Sequence, residues 1–285
     1  MVGYPLCTMQ AHLVQLNIRW EDPAANFCAV SAMLGRTDIS PGDLILLPEM
    51  FDTGFSLNIE KTADTQQHTH HFLADLAHSH SCFVQGGRTV LPERDAQNNN
   101  ESKEITHKAH NRMSIFDPDG RLICDSPKIH PFSFGREPER FVGGSRVMHW
   151  DWTCAQTLLR VCPVICYDLR FPEIFRIAVQ QGAELFALGA CWPAARKDHW
   201  RALAIARAIE NQAFVLAVNR TGDDPHLHYA GGSIAVGPAG AVLGELGEEE
   251  SVLSVEIDPM ILADWRTRFP ALRDIRFGDI RLGSL

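Results

Sequence analysis

The sequence predicts an α/β fold, because short β-rich runs alternate with amphipathic helical stretches and hairpin turns interrupt that alternation. No internal repeat and no Pro/Gly/Ser-rich linker divides the chain, so its 285 residues read as a single domain spanning 1–285. His12–Leu16 alternates polar and apolar residues, as a half-buried strand would. Ala24–Leu34 has helical spacing, and Leu44–Leu47 is a fully apolar strand ending at Pro48-Glu49. A helix from about Thr69 to His80 leads into a strand at Cys82–Gly87. The polar stretch Ala96–Glu104, with Asn98-Asn99-Asn100, reads as an exposed hairpin loop. Arg112–Phe116 and Arg121–Cys124 flank the turn Asp117-Pro118-Asp119-Gly120 as a hairpin. Further on, Thr157–Ile165 is a strand, Pro172–Gln181 a helix and Leu185–Leu188 a strand. Trp200–Gln212 is a helix with Ala202, Ile205, Ala206, Ile209 and Ala213 on one face. Phe214–Val218 is a strand, and Gly232–Val236 with Ala241–Leu246 frame the turn Gly237-Pro238-Ala239-Gly240.

Composition narrows the function. Apolar residues make up 45% and charged residues 21%, which excludes a largely disordered chain. Lys plus Arg total 26 against 35 Asp plus Glu, and the net charge of -9 disfavours nucleic acid or an anionic membrane as partner. No apolar run approaches the ~20 residues that cross a bilayer. The segment Met1–Leu6 lacks the basic and apolar regions of a secretory signal. The eight cysteines (Cys7, Cys28, Cys82, Cys124, Cys154, Cys162, Cys166 and Cys191) are dispersed without a CxxC, so reduced thiols in a cytoplasm are expected. His68, His70, His71, His78 and His80 lack metal-ligand spacing, and no phosphate-binding glycine motif is present. No metal or cofactor is therefore expected, and the expected partner is a small-molecule substrate.

Three strand ends carry the chemistry. In Val164-Ile165-Cys166-Tyr167-Asp168-Leu169-Arg170-Phe171-Pro172-Glu173 an apolar strand stops at a cysteine, and Pro172 can open a helix after a short turn. A nucleophile suits that place, because backbone N–H groups just beyond it can meet an anion formed by attack. Leu46-Leu47-Pro48-Glu49 ends another apolar strand on a poorly solvated carboxylate, which suits a proton acceptor near neutrality. Ser126-Pro127-Lys128-Ile129-His130 places an ammonium after a hairpin strand. Taken singly, each has an ordinary reading: a small buried thiol, a carboxylate at a helix N-terminus, a solvated loop lysine.

In this order, Glu49 in LPEMF, Lys128 in PKIHPF and Cys166 in CYDLRFPE resemble the Glu-Lys-Cys triad of the nitrilase superfamily of carbon–nitrogen hydrolases. The spacings fit, roughly 80 residues from Glu49 to Lys128 and nearly 40 from Lys128 to Cys166. The stretches LPEMFDTGFS (47–56), WPAARKDHWRALAIARAIENQAFVLAVNRTG (192–222), HYAGGSIAVGPAG (228–240) and FPALRD (269–274) extend the likeness over essentially the whole chain, closest to the bacterial omega-amidase branch. Two positions depart from that branch: Pro131 where leucine is commoner, and Cys191 where a polar residue such as asparagine is usual. Cys191 is read either as a pocket thiol or as a buried structural one.

The resemblance implies a nitrilase-type α-β-β-α sandwich, two stacked sheets with helices on the outer faces. It further implies a homodimer with the C-terminal tail, about 260–285 and Trp265–Phe277 in particular, at the interface. Glu49 would take the Cys166 proton, and Lys128 with the backbone N–H of Tyr167 would hold the oxyanion. A second glutamate is Glu137, with Glu139 as the alternative. The implied reaction is hydrolysis of a small amide to acid and ammonia through a thioester, with omega-amidase action on 2-oxoglutaramate or 2-oxosuccinamate. Such a substrate carries a carboxylate, for which Arg196 is the candidate, with Phe55 and Trp192 as aromatic walls; a surface salt bridge is the other reading of Arg196. Arg170 and Glu173 are expected to support the turn after Cys166, and Glu210 to bind a neighbouring arginine. Rival functions are an aliphatic amidase, nitrilase or N-carbamoyl hydrolase, and a binding module without turnover.

Overall fold

The elements follow from local chemistry before packing joins them. A computed structural model describes residues 9–92, 108–154 and 157–276, so Cys7, Phe277 and the hairpin loop expected at Ala96–Glu104 lie outside the described residues. In chain order the elements are β1 (Met9–Gln15), α1 (Pro23–Leu34), β2 (Leu44–Leu46), α2 (Ile59–Thr62), α3 (His68–His80), β3 (Phe83–Val90), β4 (His110–Phe116), β5 (Leu122–Pro127), β6 (Trp150–Cys154) and β7 (Thr157–Ile165). They continue with α4 (Pro172–Gln180), β8 (Leu185–Ala190), α5 (Lys197–Asn211), β9 (Phe214–Asn219), β10 (Thr221–Asp223), β11 (His228–Ala230), β12 (Ile234–Val236), β13 (Val242–Glu245), β14 (Ser251–Ile257) and α6 (Pro259–Arg268). Proline opens α1, α4 and α6, where its missing N–H costs nothing. Asp22 caps α1 by accepting from Ala25 N at 3.1 Å.

Two six-stranded sheets result, in the orders β14-β1-β2-β3-β4-β5 and β13-β12-β9-β8-β7-β6, with β10-β11 as a separate ribbon. In each sheet three central strands are parallel: β1, β2 and β3 in one, β7, β8 and β9 in the other. Parallel strands need cover on both faces, which is why β2, β8 and β9 are apolar nearly throughout. One core cluster joins Leu13, Leu44 and Leu46 of the first sheet to Val161, Leu185 and Leu216 of the second, so the sheets stack face to face. A second cluster packs α4 and α5 on one outer face, and a third packs α1 and α3 on the other. The order of layers is α-β-β-α, as expected from the sequence.

Three expectations need correction. β1 is buried on both faces, not half-buried, because its polar side chains find partners inside. The His12 ring meets Asp43 Oδ2 at 3.0 Å and Ser254 Oγ at 2.8 Å, and Gln15 donates to Gly247 O and Glu249 O. The buried face of α5 is Trp200, Ala204, Arg207, Ala208 and Asn211, while Ile209 on the expected stripe is 52% exposed. Arg207 can turn inward because its guanidinium donates to Leu169 O at 2.8 and 3.1 Å and pairs with Glu210 at 2.9 Å, the arginine partner anticipated for Glu210. Finally, thiols are not all reduced. Cys28, Cys82, Cys124, Cys162, Cys166 and Cys191 are free, but Cys154, half-buried at the end of an edge strand and so open to a second thiol, is disulfide-bonded.

The C-terminal ends of β2, β7 and β8 point to one end of the stacked sheets, where glycine lets backbones approach. A Cβ on Gly87 would lie 2.5 Å from Met50 N and 2.8 Å from Glu49 Cα, and one on Gly189 would lie 2.8 Å from Leu47 O. These two glycines, one from each sheet, clasp the Leu47–Met50 turn. Behind it Asp52 is buried, accepting from Thr69 Oγ1 at 2.7 Å, while its backbone oxygen accepts from Asn26 Nδ2.

Gly87→Ala is expected to destabilise the fold by about 1–3 kcal/mol, since only backbone atoms stand in the way; urea unfolding measures this, and an unchanged midpoint would refute the clasp. Burial pushes the Asp52 carboxyl up to about 7, helped by the Asp64 charge and opposed by the Thr69 hydroxyl. A carboxyl raised in the fold stabilises it when protonated, so this contribution is complete below about pH 4 and is lost as pH rises through about 7. Unfolding free energies of Asp52→Asn should therefore decline less than those of wild type between pH 5 and 8.

Candidate active site

The site gathers around Glu49, which follows β2 and has no solvent exposure. Its Oε1 accepts from Lys128 Nζ at 2.8 Å and from Asn111 Nδ2 at 2.7 Å, and its Oε2 accepts from the Cys191 backbone N–H at 3.0 Å. Lys128, the first residue after β5, is 1% exposed instead of solvated. Its Nζ makes a second bond, of 2.8 Å, to Glu137 Oε2. Glu137 opens a short 3₁₀ turn and is itself fully buried. Glu139, two residues on, is exposed and pairs with Arg136. The structure therefore places Glu137, and not Glu139, beside the lysine.

Burial alone would lower the Lys128 ammonium, but the charges of Glu137 and then Glu49 outweigh it and hold the group well above the usual lysine range. It is a fixed cation. Cys166 ends β7 and begins the 3₁₀ turn Cys166–Arg170, with φ +45°. A non-glycine residue held in that left-handed region is strained, and such strain gathers where geometry is imposed by the surroundings. Burial pushes the Cys166 thiol well up, the Glu49 charge and a hydrogen bond to Glu49 push it further, and only Lys128 pulls it down. The resting sulfur thus keeps its proton, and the carboxylate beside it is the group placed to take it.

These groups meet at a cavity of about 390 Å³, whose lining includes Lys128, Cys166, Cys191, Phe55, Tyr167 and Trp192. The Phe55 ring centroid lies 5.4 Å from Lys128 Nζ. Trp192 is anchored by donating from its backbone N to Asn219 Oδ1 at 2.7 Å and from Nε1 to Arg196 O at 2.8 Å. Tyr167 stands second in the 3₁₀ turn, where a backbone N–H has no partner within its own helix. Arg196 lies over Phe132 and Phe134, at 5.6 and 5.9 Å. Arg170 does not merely brace the turn: it lines the cavity, stacked 4.8 Å over Trp192. Among the described residues neither guanidinium has an acidic partner, so Arg196 is not part of a surface salt bridge. Cys191 lies in the lining, its Sγ donating to Glu49 O at 3.1 Å, so a second thiol does share the cavity.

Two contributors were missed in the sequence. Asn111 of β4 bonds both carboxylates, and in a strand that also carries His110, Arg112 and Ser114 nothing in the sequence singled it out. Asp168 is buried and accepts from His130 N and Nδ1 at 2.8 Å, tying the lysine loop to the cysteine turn. It stands two residues after Cys166 in the quoted motif, yet no spacing rule could say which loop it holds. Among the described residues no cluster of His, Cys, Asp and Glu could hold a metal ion, and no helix is long and apolar enough to cross a membrane.

Known proteins resemble this chain in sequence and fold. The carbon-nitrogen hydrolase family model matches residues 10–267. A 2-oxoglutaramate amidase of Bacillus subtilis is 32% identical over 92% of this chain and 96% of its own length. An omega-amidase of Yersinia enterocolitica is 33% identical, over 94% and 97%. Among solved structures, a CN-hydrolase superfamily protein from Xanthomonas campestris, with an arsenic adduct in its active site, superposes with a TM-score of 0.82 at 34% identity, covering 98% of this chain and 100% of that one. Nit3 of Saccharomyces cerevisiae, a member of branch 10 of the nitrilase superfamily, gives a TM-score of 0.77 at 26% identity, covering 92% and 94%. With two stacked sheets, a buried Glu-Lys-Glu cluster beside a thiol, and a family match along nearly its whole length, the chain belongs to the carbon-nitrogen hydrolases of the nitrilase superfamily.

Proposed function

We propose that the protein is an omega-amidase, hydrolysing the terminal amide of a short dicarboxylic acid monoamide such as 2-oxoglutaramate or 2-oxosuccinamate. The observation that carries this reading is that one cavity holds the Cys166 thiol beside Glu49 and Lys128 and also presents guanidinium groups that, among the described residues, have no acid partners. Similarity to enzymes named 2-oxoglutaramate amidase and omega-amidase supports it.

In this reading Glu49 takes the thiol proton as the sulfur attacks the amide carbon, and Lys128 with the Tyr167 N–H holds the oxyanion. An oxyanion donor of this kind is worth roughly 3–4 kcal/mol in the transition state. Collapse breaks the C–N bond, and Glu49 delivers the proton to the leaving ammonia. Water then gives its proton to Glu49 and attacks the thioester, releasing the acid and restoring the thiol. Glu137 positions Lys128. Arg196 reads the distal carboxylate, and Phe55 and Trp192 wall its carbon chain. We also propose a single domain over 1–285, a cytoplasmic setting and a homodimer, with α6 and the tail after it at the interface. Exposed Met260, Ile261 and Phe269 on that segment support the dimer.

Ammonia release should be fastest from 2-oxoglutaramate or 2-oxosuccinamate, and Cys166→Ala should lower it at least about a thousandfold. Arg196→Gln should raise KM for these acids roughly tenfold to a hundredfold, the loss of one charge-assisted pair, with kcat little changed. Preference for simple amides or nitriles would remove the omega-amidase assignment; no turnover of any of them would remove the enzyme. Light scattering at micromolar concentration should give a mass near twice the 31.8 kDa of one chain, and a monomer mass would exclude the dimer.

A further inference from the structure

We infer that Asn111 is a positioning residue that assigns Glu49 Oε2 as the proton-accepting atom, an inference that rests on the proposed role of Glu49 as base. The two oxygens of Glu49 are not equivalent. Oε1 is bonded by both the Lys128 ammonium and the Asn111 amide, which occupy its two lone-pair directions. Oε2 accepts the Cys191 N–H, at 3.0 Å, which leaves its second direction for the hydrogen bond that joins Glu49 to the Cys166 thiol. A proton can therefore arrive at Oε2 without breaking an existing bond, and Asn111 is what closes the alternative.

The same Nδ2 also donates to Glu137 Oε1 at 3.0 Å. One neutral amide thus bridges the two carboxylates that Lys128 bridges as a cation. Two carboxylates and one ammonium, all buried, leave an excess negative charge, and a second pair of N–H donors meets it without adding a titratable group. The orientation of the amide follows from its neighbours, since turning its oxygen toward two acceptors would leave no hydrogen between them. Asn111 is 2% exposed, and its Oδ1 has no hydrogen-bond partner among the described residues. Here the donor end is satisfied at the expense of the acceptor.

The titratable groups facing Glu49 are Lys128 after β5, Glu137 in its 3₁₀ turn, Cys166 after β7 and Cys191 after β8. Removing a donor from a carboxylate favours its protonated form, so the acid limb of the rate profile must move to higher pH. In Asn111→Leu, which is near the native volume, the limb should lie at higher pH than in wild type. Its kcat should fall about tenfold to a hundredfold from misplacement of the base, with KM little changed. Asn111→Asp should be most impaired at high pH and recover relative activity as pH falls, because a protonated carboxyl regains an O–H donor.

Alkylation of Cys166 by iodoacetamide, followed by mass across the same pH range, needs no substrate and should show the same displaced limb. If wild type hydrolyses no amide, the omega-amidase reading fails and the alkylation profiles alone judge Asn111. A folded Asn111→Leu with wild-type kcat and wild-type profiles would overturn the inference. Should that variant not fold, Asn111→Asp decides, and a pH profile like wild type's overturns it.

Discussion

Everything at this site depends on keeping two carboxylates and one ammonium away from water. Burying such charges costs several kcal/mol each unless attraction and hydrogen bonds offset it. Lys128 provides the attraction by standing 2.8 Å from both Glu49 and Glu137, and Asn111 and backbone N–H groups supply the remaining donors. The cluster cannot be thinned without consequence. Taking the lysine away would leave two like charges buried side by side, a loss on the order of 3–5 kcal/mol. This is why Lys128 is held as a cation rather than poised to lose its proton.

The dry setting also explains the division of labour between sulfur and carboxylate. A thiol surrounded by apolar atoms and a carboxylate holds its proton, so the nucleophile is not stored as a thiolate. In the proposed mechanism, reactivity then arises only when proton transfer and attack are coupled, which requires the base to be in place beforehand. The strained backbone at Cys166 and the glycine clasp on the Glu49 turn serve that placement. Both are possible because two sheets press on the site from opposite sides and leave neither strand end free to relax.

The proposed substrate recognition is built on a different principle. The rim carries Arg170 and Arg196 over aromatic faces, where a planar guanidinium is paired with π electrons and, among the described residues, with no carboxylate. A cation committed to an internal carboxylate, like Lys128, could not serve an incoming acid. The floor is electrostatically closed and the rim is electrostatically open, and that contrast separates chemistry from specificity.

Much of this was legible in the amino-acid order. Apolar runs broken at Pro48-Glu49 and Ile165-Cys166, and a hairpin strand ending at Pro127-Lys128, announce strand ends bearing reactive groups, because strand formation is local and side-chain chemistry travels with the residue. The same motifs carry the family, and with it the layered architecture. Periodicity failed where partners were distant in sequence. His12 and Gln15 look solvent-facing until Asp43, Ser254 and Gly247 arrive to satisfy them, and the buried face of α5 turns on Arg207 finding Leu169 O. The choice of Glu137 over Glu139, the double bond of Asn111 and the turning of Arg170 into the cavity were likewise decided only by the fold. Each depends on hydrogen bonds and charges across tens of residues of chain, and such distances exist only once the two sheets have closed on each other.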